Sequence, residues 1–161
     1  MVSLSNLELR DGAAELSFVP AADLGLSGSS AGGGLHCAGA VDLSLSDVLF
    51  ADNVAWFGGG LSLQEGCDAQ TSDLQFEANE ALYGGGGIAI YDASLTLEGA
   101  SFDQNIAALF GGGIYTDAGT ILATGVNFSG NDPDDTYNLL GLDSDTWGVN
   151  ADFECDVSTC D

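Results

Sequence analysis

Two short motifs recur along this chain with a shared period, and this periodicity constrains the fold more than any other feature. A phenylalanine followed three residues later by an asparagine occurs as FADN, FEAN, FDQN and FSGN, beginning at Phe50, Phe76, Phe102 and Phe128. Glycine runs recur in step with it, and the leucine or isoleucine that closes each run lies at position 35, 61, 88 or 114, at intervals of 26, 27 and 26 residues. Two motifs that share one period indicate a solenoid, in which each repeat forms one rung, that is, one full coil of the chain.

The segments between the glycine runs and the phenylalanines indicate that each rung is built from strands. Apolar and polar residues alternate there, as in IAIYDASLTLEGASF of the third repeat, and a period of two is typical of a β-strand. Three or four glycines per repeat would each cost a helix about 1 kcal/mol relative to alanine. The sequence therefore predicts an all-β, single-domain parallel β-helix with about four rungs of 26 residues.

The same register predicts which side chains point inward. Counted back from each phenylalanine, positions −7, −5 and −2 are mostly apolar and should stack on their counterparts about 4.8 Å away. They are Leu43, Ala69, Leu95 and Ile121, then Leu45, Thr71, Leu97 and Ala123, and then Val48, Leu74, Ala100 and Val126. The four phenylalanines should form an internal aromatic stack, since each offers a large apolar surface.

The asparagines of the motif are predicted to form a second column at a bend of the chain. They are Asn53, Asn79, Asn105 and Asn131. Asparagine tolerates the left-handed backbone conformation, and its amide can donate to one rung and accept from another. These residues should therefore form a ladder of side-chain hydrogen bonds.

The paired motifs resemble those of a known family. FADN, FEAN, FDQN and FSGN, alternating with GGGL, GGGGI and GGGI over residues 32–131, are similar to the repeats of polymorphic outer membrane proteins and of surface-exposed β-helix proteins of Gram-negative bacteria. The resemblance implies a right-handed parallel β-helix and a cell-surface or secreted setting. It specifies the fold more strongly than the activity.

The two ends of the chain depart from the repeat. Residues 1–31 are expected to form one or more irregular N-terminal rungs, residues 32–131 the β-helix repeats, and residues 132–161 a C-terminal cap. The cap segment carries aromatic residues among acids, and a solenoid needs an atypical segment to cover its open core. No signal-peptide pattern is present near Met1, so an exported protein would contain this chain as a fragment or mature region.

The four cysteines are interpreted as two disulfide bonds. Cys155 and Cys160 are close in sequence and should close a short loop, and Cys37 should pair with Cys67 if the intervening chain folds back. A zinc site is disfavoured because CDVSTC has neither a CxxC partner nor histidines. Disulfide bonds indicate an oxidising compartment, and four unlinked cysteines are the alternative.

The charge of the chain excludes whole classes of partner. Twenty-five aspartates and glutamates stand against a single arginine, and the net charge is −24. We predict neither nucleic-acid binding nor direct membrane insertion. Nucleic-acid binding needs clustered basic residues, and membrane insertion needs an apolar run of about 20 residues. An acidic surface suits cations, basic surfaces or water, and a saline habitat also fits.

Calcium is a candidate ligand, although the fold should not require a cofactor. The register places Asp42 over Asp68 and Asp47 over Asp73, and adjacent carboxylates repel one another unless a cation intervenes. The cap carries a second acidic group, Asp132, Asp134 and Asp135. In the alternative interpretation these aspartates remain hydrated surface residues whose repulsion is screened by salt.

No catalytic residue is predicted. His36 follows Leu35 in a strand and should face outward, and 25 acids are too many for a pair of carboxylates to identify a hydrolase. Aromatic residues precede successive glycine runs at Trp56, Phe57, Tyr83 and Phe110 and either close the corner or stack on sugar rings. The sequence thus favours a non-catalytic, adhesin-like module with an unknown surface partner or glycan. The alternative is a carbohydrate-binding or carbohydrate-active β-helix domain.

Overall fold

The computed structural model describes residues 1–13, 31–138 and 153–155, and these segments contain strands and no helix. The strands, in chain order, are β1 (Val2–Arg10), β2 (Leu35–Ala38), β3 (Asp42–Ala51), β4 (Val54–Phe57), β5 (Leu61–Gln64), β6 (Asp68–Ser72), β7 (Gln75–Glu77), β8 (Glu80–Gly84), β9 (Ile88–Tyr91), β10 (Ser94–Glu98), β11 (Ser101–Asp103), β12 (Ile106–Ala107), β13 (Ile114–Asp117), β14 (Thr120–Thr124), β15 (Val126–Ser129), β16 (Thr136–Asn138) and β17 (Phe153–Cys155).

The strands form three parallel sheets that run along the solenoid. The long sheet contains nine strands, and in it β1 pairs with β3. The long strand β3 pairs with both β6 and β7, and the pairing continues from β6 to β10 and β14 and from β7 to β11 and β15. A three-stranded sheet (β12-β8-β4) and a five-stranded sheet (β16-β13-β9-β5-β2) form the other faces. Since every pairing is parallel and joins successive rungs, the predicted parallel β-solenoid of about four turns is confirmed.

The interior is filled by the columns that the register places there. All the residues at positions −7, −5 and −2 are buried, Thr71 among them. Phe50, Phe76, Phe102 and Phe128 form a continuous stack with centroid separations of 4.8, 4.7 and 4.9 Å. The first three rings lie within 6° of parallel. The strand spacing therefore sets the ring spacing, and the core is one apolar column system along the axis.

The N-terminal segment is a rung in register with the repeats. Leu9 pairs with Phe50 and so occupies the phenylalanine position. Ala13 then forms a bridge with Val54, and Ala31 forms one with Phe57. This rung differs from the others because residues 14–30, which lie outside the described residues, are inserted between the two bridges.

At the other end the strand pairing outlasts the sequence motif. β16 extends the five-stranded sheet beyond β13, and β17 pairs with β15 in the long sheet. The chain after Asn131, which the sequence presented as an irregular cap, therefore adds part of a further rung. Backbone pairing needs no particular side chain, so these strands form although the FxxN motif is absent, and the motif could not predict them.

Left-handed residues form columns at the bends of each rung. One column lies immediately before the asparagines and comprises Asp52, Ala78, Gln104 and Gly130, with φ between 50° and 63°. The asparagines themselves are not left-handed, so that part of the sequence interpretation is wrong. The residue before each asparagine adopts the left-handed conformation, and the asparagine side chain then points into the wall of the solenoid.

The glycine runs are required because backbones and rings approach closely at that corner. A Cβ atom added at Gly60 would lie 2.8 Å from the carbonyl oxygen of Gly87 and 2.8 Å from a ring carbon of Phe76. The equivalent Gly87 would meet the ring of Phe102 at 2.7 Å. The two motifs of the repeat are therefore in contact, since each glycine run makes room for the phenylalanine stack.

We expect the phenylalanine stack to dominate stability. Phe76 has a stacked ring on each side, so Phe76→Ala should lower the free energy of unfolding by about 3–5 kcal/mol. Phe76→Leu should cost distinctly less, because Leu9 occupies the same column in the first rung. Chemical denaturation of both variants would measure this, and equal or negligible losses would contradict the stacking assignment.

Candidate functional site

The asparagines form a directional hydrogen-bond ladder inside the wall. The Nδ2 of Asn53 donates to the Oδ1 of Asn79 at 2.9 Å, Asn79 donates to Asn105 at 2.9 Å, and Asn105 donates to Asn131 at 3.0 Å. Each Nδ2 also donates to a backbone carbonyl, as Asn79 does to Phe50 at 2.9 Å. Each Oδ1 shared between two rungs accepts a second bond from a backbone N–H. These buried amides are therefore structural residues.

The two ends of the ladder are chemically different. At the N-terminal end the backbone N–H of Gly12 donates to the Oδ1 of Asn53 at 2.9 Å. At the other end the Nδ2 of Asn131 donates to the Oδ1 of Asp135 at 3.0 Å. Asp135 is fully buried. It terminates the ladder, a role that the sequence analysis missed because no spacing rule relates it to the asparagines.

Loss of one amide from the middle of the ladder should be costly. Asn79→Ala removes the partner of several buried groups at once, and each stranded group costs about 1–3 kcal/mol. We therefore expect a loss of several kcal/mol in denaturation experiments. The matched control is Asn127→Ala, which removes an exposed asparagine of β15 and should change stability by less than about 0.5 kcal/mol. Equal effects of the two substitutions would argue against the ladder.

The first two repeats are joined covalently. Cys37 and Cys67 form a disulfide bond with a Cα–Cα distance of 6.1 Å, as the sequence predicted. Both cysteines are buried, and Cys37 pairs in register with Leu63, so the bond crosses from one rung to the next. A bond that closes a loop of this length stabilises the fold by about 3–4 kcal/mol in the chain-entropy model. The proposed Cys155–Cys160 bond lies outside the described residues.

The aspartates considered as calcium ligands lie in adjacent rungs, as their register predicted. Asp42 pairs with Asp68 in register, and both are exposed. Asp47 and Asp73 occupy a left-handed bend, with φ of 51° and 53°. Asn6, Gly99 and Gly125 take the same position in other rungs, also with positive φ. Asparagine, aspartate and glycine are the residues that tolerate this conformation, so the bend alone accounts for these two aspartates.

The C-terminal acidic group does not converge on one point either. Asp132 is exposed and Asp134 is half-buried, whereas Asp135 is buried and accepts a hydrogen bond from Asn131 of the ladder. Among the described residues, no three histidine, cysteine or acidic side chains are placed to hold a metal ion.

We expect the fold to form without calcium, because the in-register pair Asp42 and Asp68 is exposed and its repulsion is screened by salt. The melting temperature should be the same in chelator and in millimolar calcium at fixed ionic strength. A rise that Asp68→Asn abolishes, and that the exposed-site control Glu77→Gln retains, would instead establish a calcium site at this pair.

The candidate binding surface is an aromatic cluster outside the solenoid core. We call it the external aromatic cluster, and it consists of Trp56, Phe57, Tyr83, Phe110, Tyr115 and Tyr137. Phe57 and Tyr115 are buried, and the other members are half-buried. Tyr115 alternates with Ile114 and Thr116, which point into the interior, so its ring lies on the outer face of the five-stranded sheet.

The rings of the cluster are in mutual contact. Tyr83 lies between Phe57 and Phe110, with centroid distances of 4.7 and 5.7 Å. Phe110 continues to Tyr137 at 4.4 Å. The aromatic line expected from the sequence therefore exists, and it is joined by Tyr115 and Tyr137, which that pattern did not include because they come from the neighbouring sheet.

An extra residue in the 27-residue interval between Leu61 and Ile88 builds this cluster. Trp56 alone separates Ala55 from Phe57, whereas two residues separate Ala81 from Gly84, so β8 contains a bulge. As a result Gly84 pairs with Phe57, and Phe110 in turn pairs with Gly84. A Cβ at Gly84 would lie 2.9 Å from the ring of Tyr115. The 27-residue interval therefore creates the space that Tyr115 occupies.

Burial shifts the pKa of Tyr115 and of His36, which both lie on the five-stranded sheet. It raises the pKa of Tyr115, with smaller contributions from Asp117 and the neighbouring tyrosines. It lowers the pKa of His36, against an opposing effect of Glu65. His36 faces outward as expected, and its Nδ1 lacks a hydrogen-bond partner among the described residues. Burial therefore favours the neutral form of both groups.

The model of the Chlamydia polymorphic membrane protein repeat matches residues 99–117. This segment contains one complete FxxN motif and one GGGI motif, and the match points to a bacterial surface or outer-membrane protein with a β-helix fold. No curated protein and no solved structure matches the chain. Within the described segments, no helix is long and apolar enough to cross a membrane.

Proposed function

We propose that the chain is a rigid, non-catalytic binding module of a bacterial cell-surface or secreted protein. The observation that carries this proposal is the external aromatic cluster. Its rings lie outside the column system that fills the interior. The bulge in β8 and the glycine at position 84 allow these rings to pack together. Bulges commonly re-aim side chains at functional positions. The solenoid itself acts as the scaffold, because its ladder and stacks hold the rungs at fixed spacing.

The partner that best fits this surface is a neutral glycan. Half-buried aromatic rings with tyrosine hydroxyls offer an apolar face and a polar edge, which suits a sugar ring. The net charge of −24 would repel an anionic polysaccharide and would not oppose a neutral one. The cluster spans residues of four successive rungs, from Phe57 to Tyr137, so an extended chain of sugars can contact several rings at once.

Binding to a panel of neutral soluble polysaccharides tests this proposal, with polygalacturonate as the anionic comparison. Tyr83→Ala should weaken binding about tenfold, a loss of about 1.4 kcal/mol, because Tyr83 is the central ring of the cluster. Tyr83→Phe should retain most of the affinity, since the ring remains. The matched control is Tyr91→Ala, because Tyr91 is 38% exposed on β9 of the five-stranded sheet and lies outside the cluster.

Unfolding curves of each variant separate loss of binding from loss of structure. Equal binding by Tyr83→Ala and Tyr91→Ala, with both folded, would remove the cluster from the proposed function. The carbohydrate-active alternative predicts new reducing ends or unsaturated products when the protein is incubated with the same polysaccharides. Such products would replace the binding-module proposal with an enzymatic one.

A further inference from the structure

The first strand leaves one edge of the nine-stranded sheet open. β1 pairs with β3 along one side, and no other described strand pairs with it. Leu4, Leu7 and Leu9 pack against the core but remain only partly buried, and Val2 is 48% exposed. A long, apolar, unpaired edge strand is a template for pairing with another chain.

The inward-facing residues of β1 are arranged symmetrically. Register with β3 places Val2, Leu4, Leu7 and Leu9 in the core columns. Their positions are symmetric about the midpoint between Ser5 and Asn6, because 2 and 9 and likewise 4 and 7 are equidistant from it. In a regular strand, residues 4 and 7 would face opposite sides of the sheet. The left-handed kink at Asn6, with φ of 53°, allows both Leu4 and Leu7 to face inward.

We propose that a second copy of the chain pairs with this edge through its own β1, antiparallel and related by a twofold axis between Ser5 and Asn6. Val2 then lies opposite Leu9 of the second copy, and Leu4 opposite Leu7. On the outer face, Ser3 lies opposite Glu8. Residues directly opposite in an antiparallel pair point to the same side of the sheet, so the apolar columns of the two copies join into one interface of the isologous type.

The ladder explains why a second copy suits this edge better than another FxxN rung. Each asparagine Oδ1 accepts hydrogen bonds from the rung on its N-terminal side. Gly12 holds the asparagine position in the first rung and has only its N–H to offer to Asn53. A further asparagine added on that side would find no side-chain acceptor at Gly12, so one N–H of its buried amide would lack its ladder partner.

Charge also favours this edge over the other surfaces. β1 contains Glu8 and Arg10, which form an ion pair at 3.0 Å, so its side chains are formally neutral in a chain of charge −24. Two copies can therefore meet here with less local repulsion than elsewhere. Their overall charges still repel, and salt screens that repulsion, so dimerisation should strengthen as the ionic strength rises.

Analytical ultracentrifugation of the full chain across a range of concentrations and salt tests the proposal. The expected result is a species of twice the 16.3 kDa chain mass that becomes more populated at high salt. Leu4→Lys should raise the dissociation constant at least about tenfold, because it places a charge in the joined apolar column. Thr96→Lys, on β10 and remote from the edge, is the matched control and should leave the dimer intact. Circular dichroism verifies that both variants are folded.

Cross-linking tests the register independently of stability. An oxidised mixture of the S3C and E8C variants should give a covalent dimer, whereas S3C alone should not exceed the background of the unmodified chain. A monomer at every concentration and salt would overturn the proposal. So would cross-linking of S3C alone, or assemblies that grow beyond the dimer, which would indicate head-to-tail stacking instead.

Discussion

Parallel strands of successive rungs pair in register, so each side chain lies over the equivalent residue of the next rung. Whatever one rung places at a position must therefore tolerate a copy of itself one strand spacing away. Phenylalanine rings satisfy this condition by stacking with separations of 4.7–4.9 Å. Asparagine amides satisfy it because one end donates and the other accepts. The FxxN motif combines these two self-compatible groups, and the rest of the rung is arranged around them.

Those features that repeat were predictable from the sequence, because repetition itself reveals which residues stack. The phenylalanine column and the ladder follow from a constant spacing, as does the in-register pair Asp42 and Asp68. Features that occur once were not predictable in this way. Asp135 ends the ladder by accepting a hydrogen bond from Asn131, and β17 joins the long sheet without any motif. The bend was assigned to the asparagine instead of the residue before it, because the sequence shows the spacing but not the backbone torsions.

Part of the acidity of the chain has a conformational explanation. Within the segments that the structure describes, ten non-glycine residues have positive φ, and five of them are aspartates, namely Asp11, Asp47, Asp52, Asp73 and Asp92. The left-handed conformation strains most side chains, and aspartate is among those that bear it best. A solenoid with several such bends in every rung therefore accumulates aspartates at its corners. At these five positions the backbone conformation by itself favours aspartate.

Features outside the repeat are where this scaffold acquires distinct surfaces. A perfect repeat would present the same face at every rung, as the interior columns do. The extra residue in β8 displaces Tyr83 and puts Gly84 where the ring of Tyr115 needs space. The first rung replaces phenylalanine with Leu9 and asparagine with Gly12, which ends both columns at that side. The residues that obey the period thus build the interior, and the two surfaces that we propose for binding are formed by residues that depart from it.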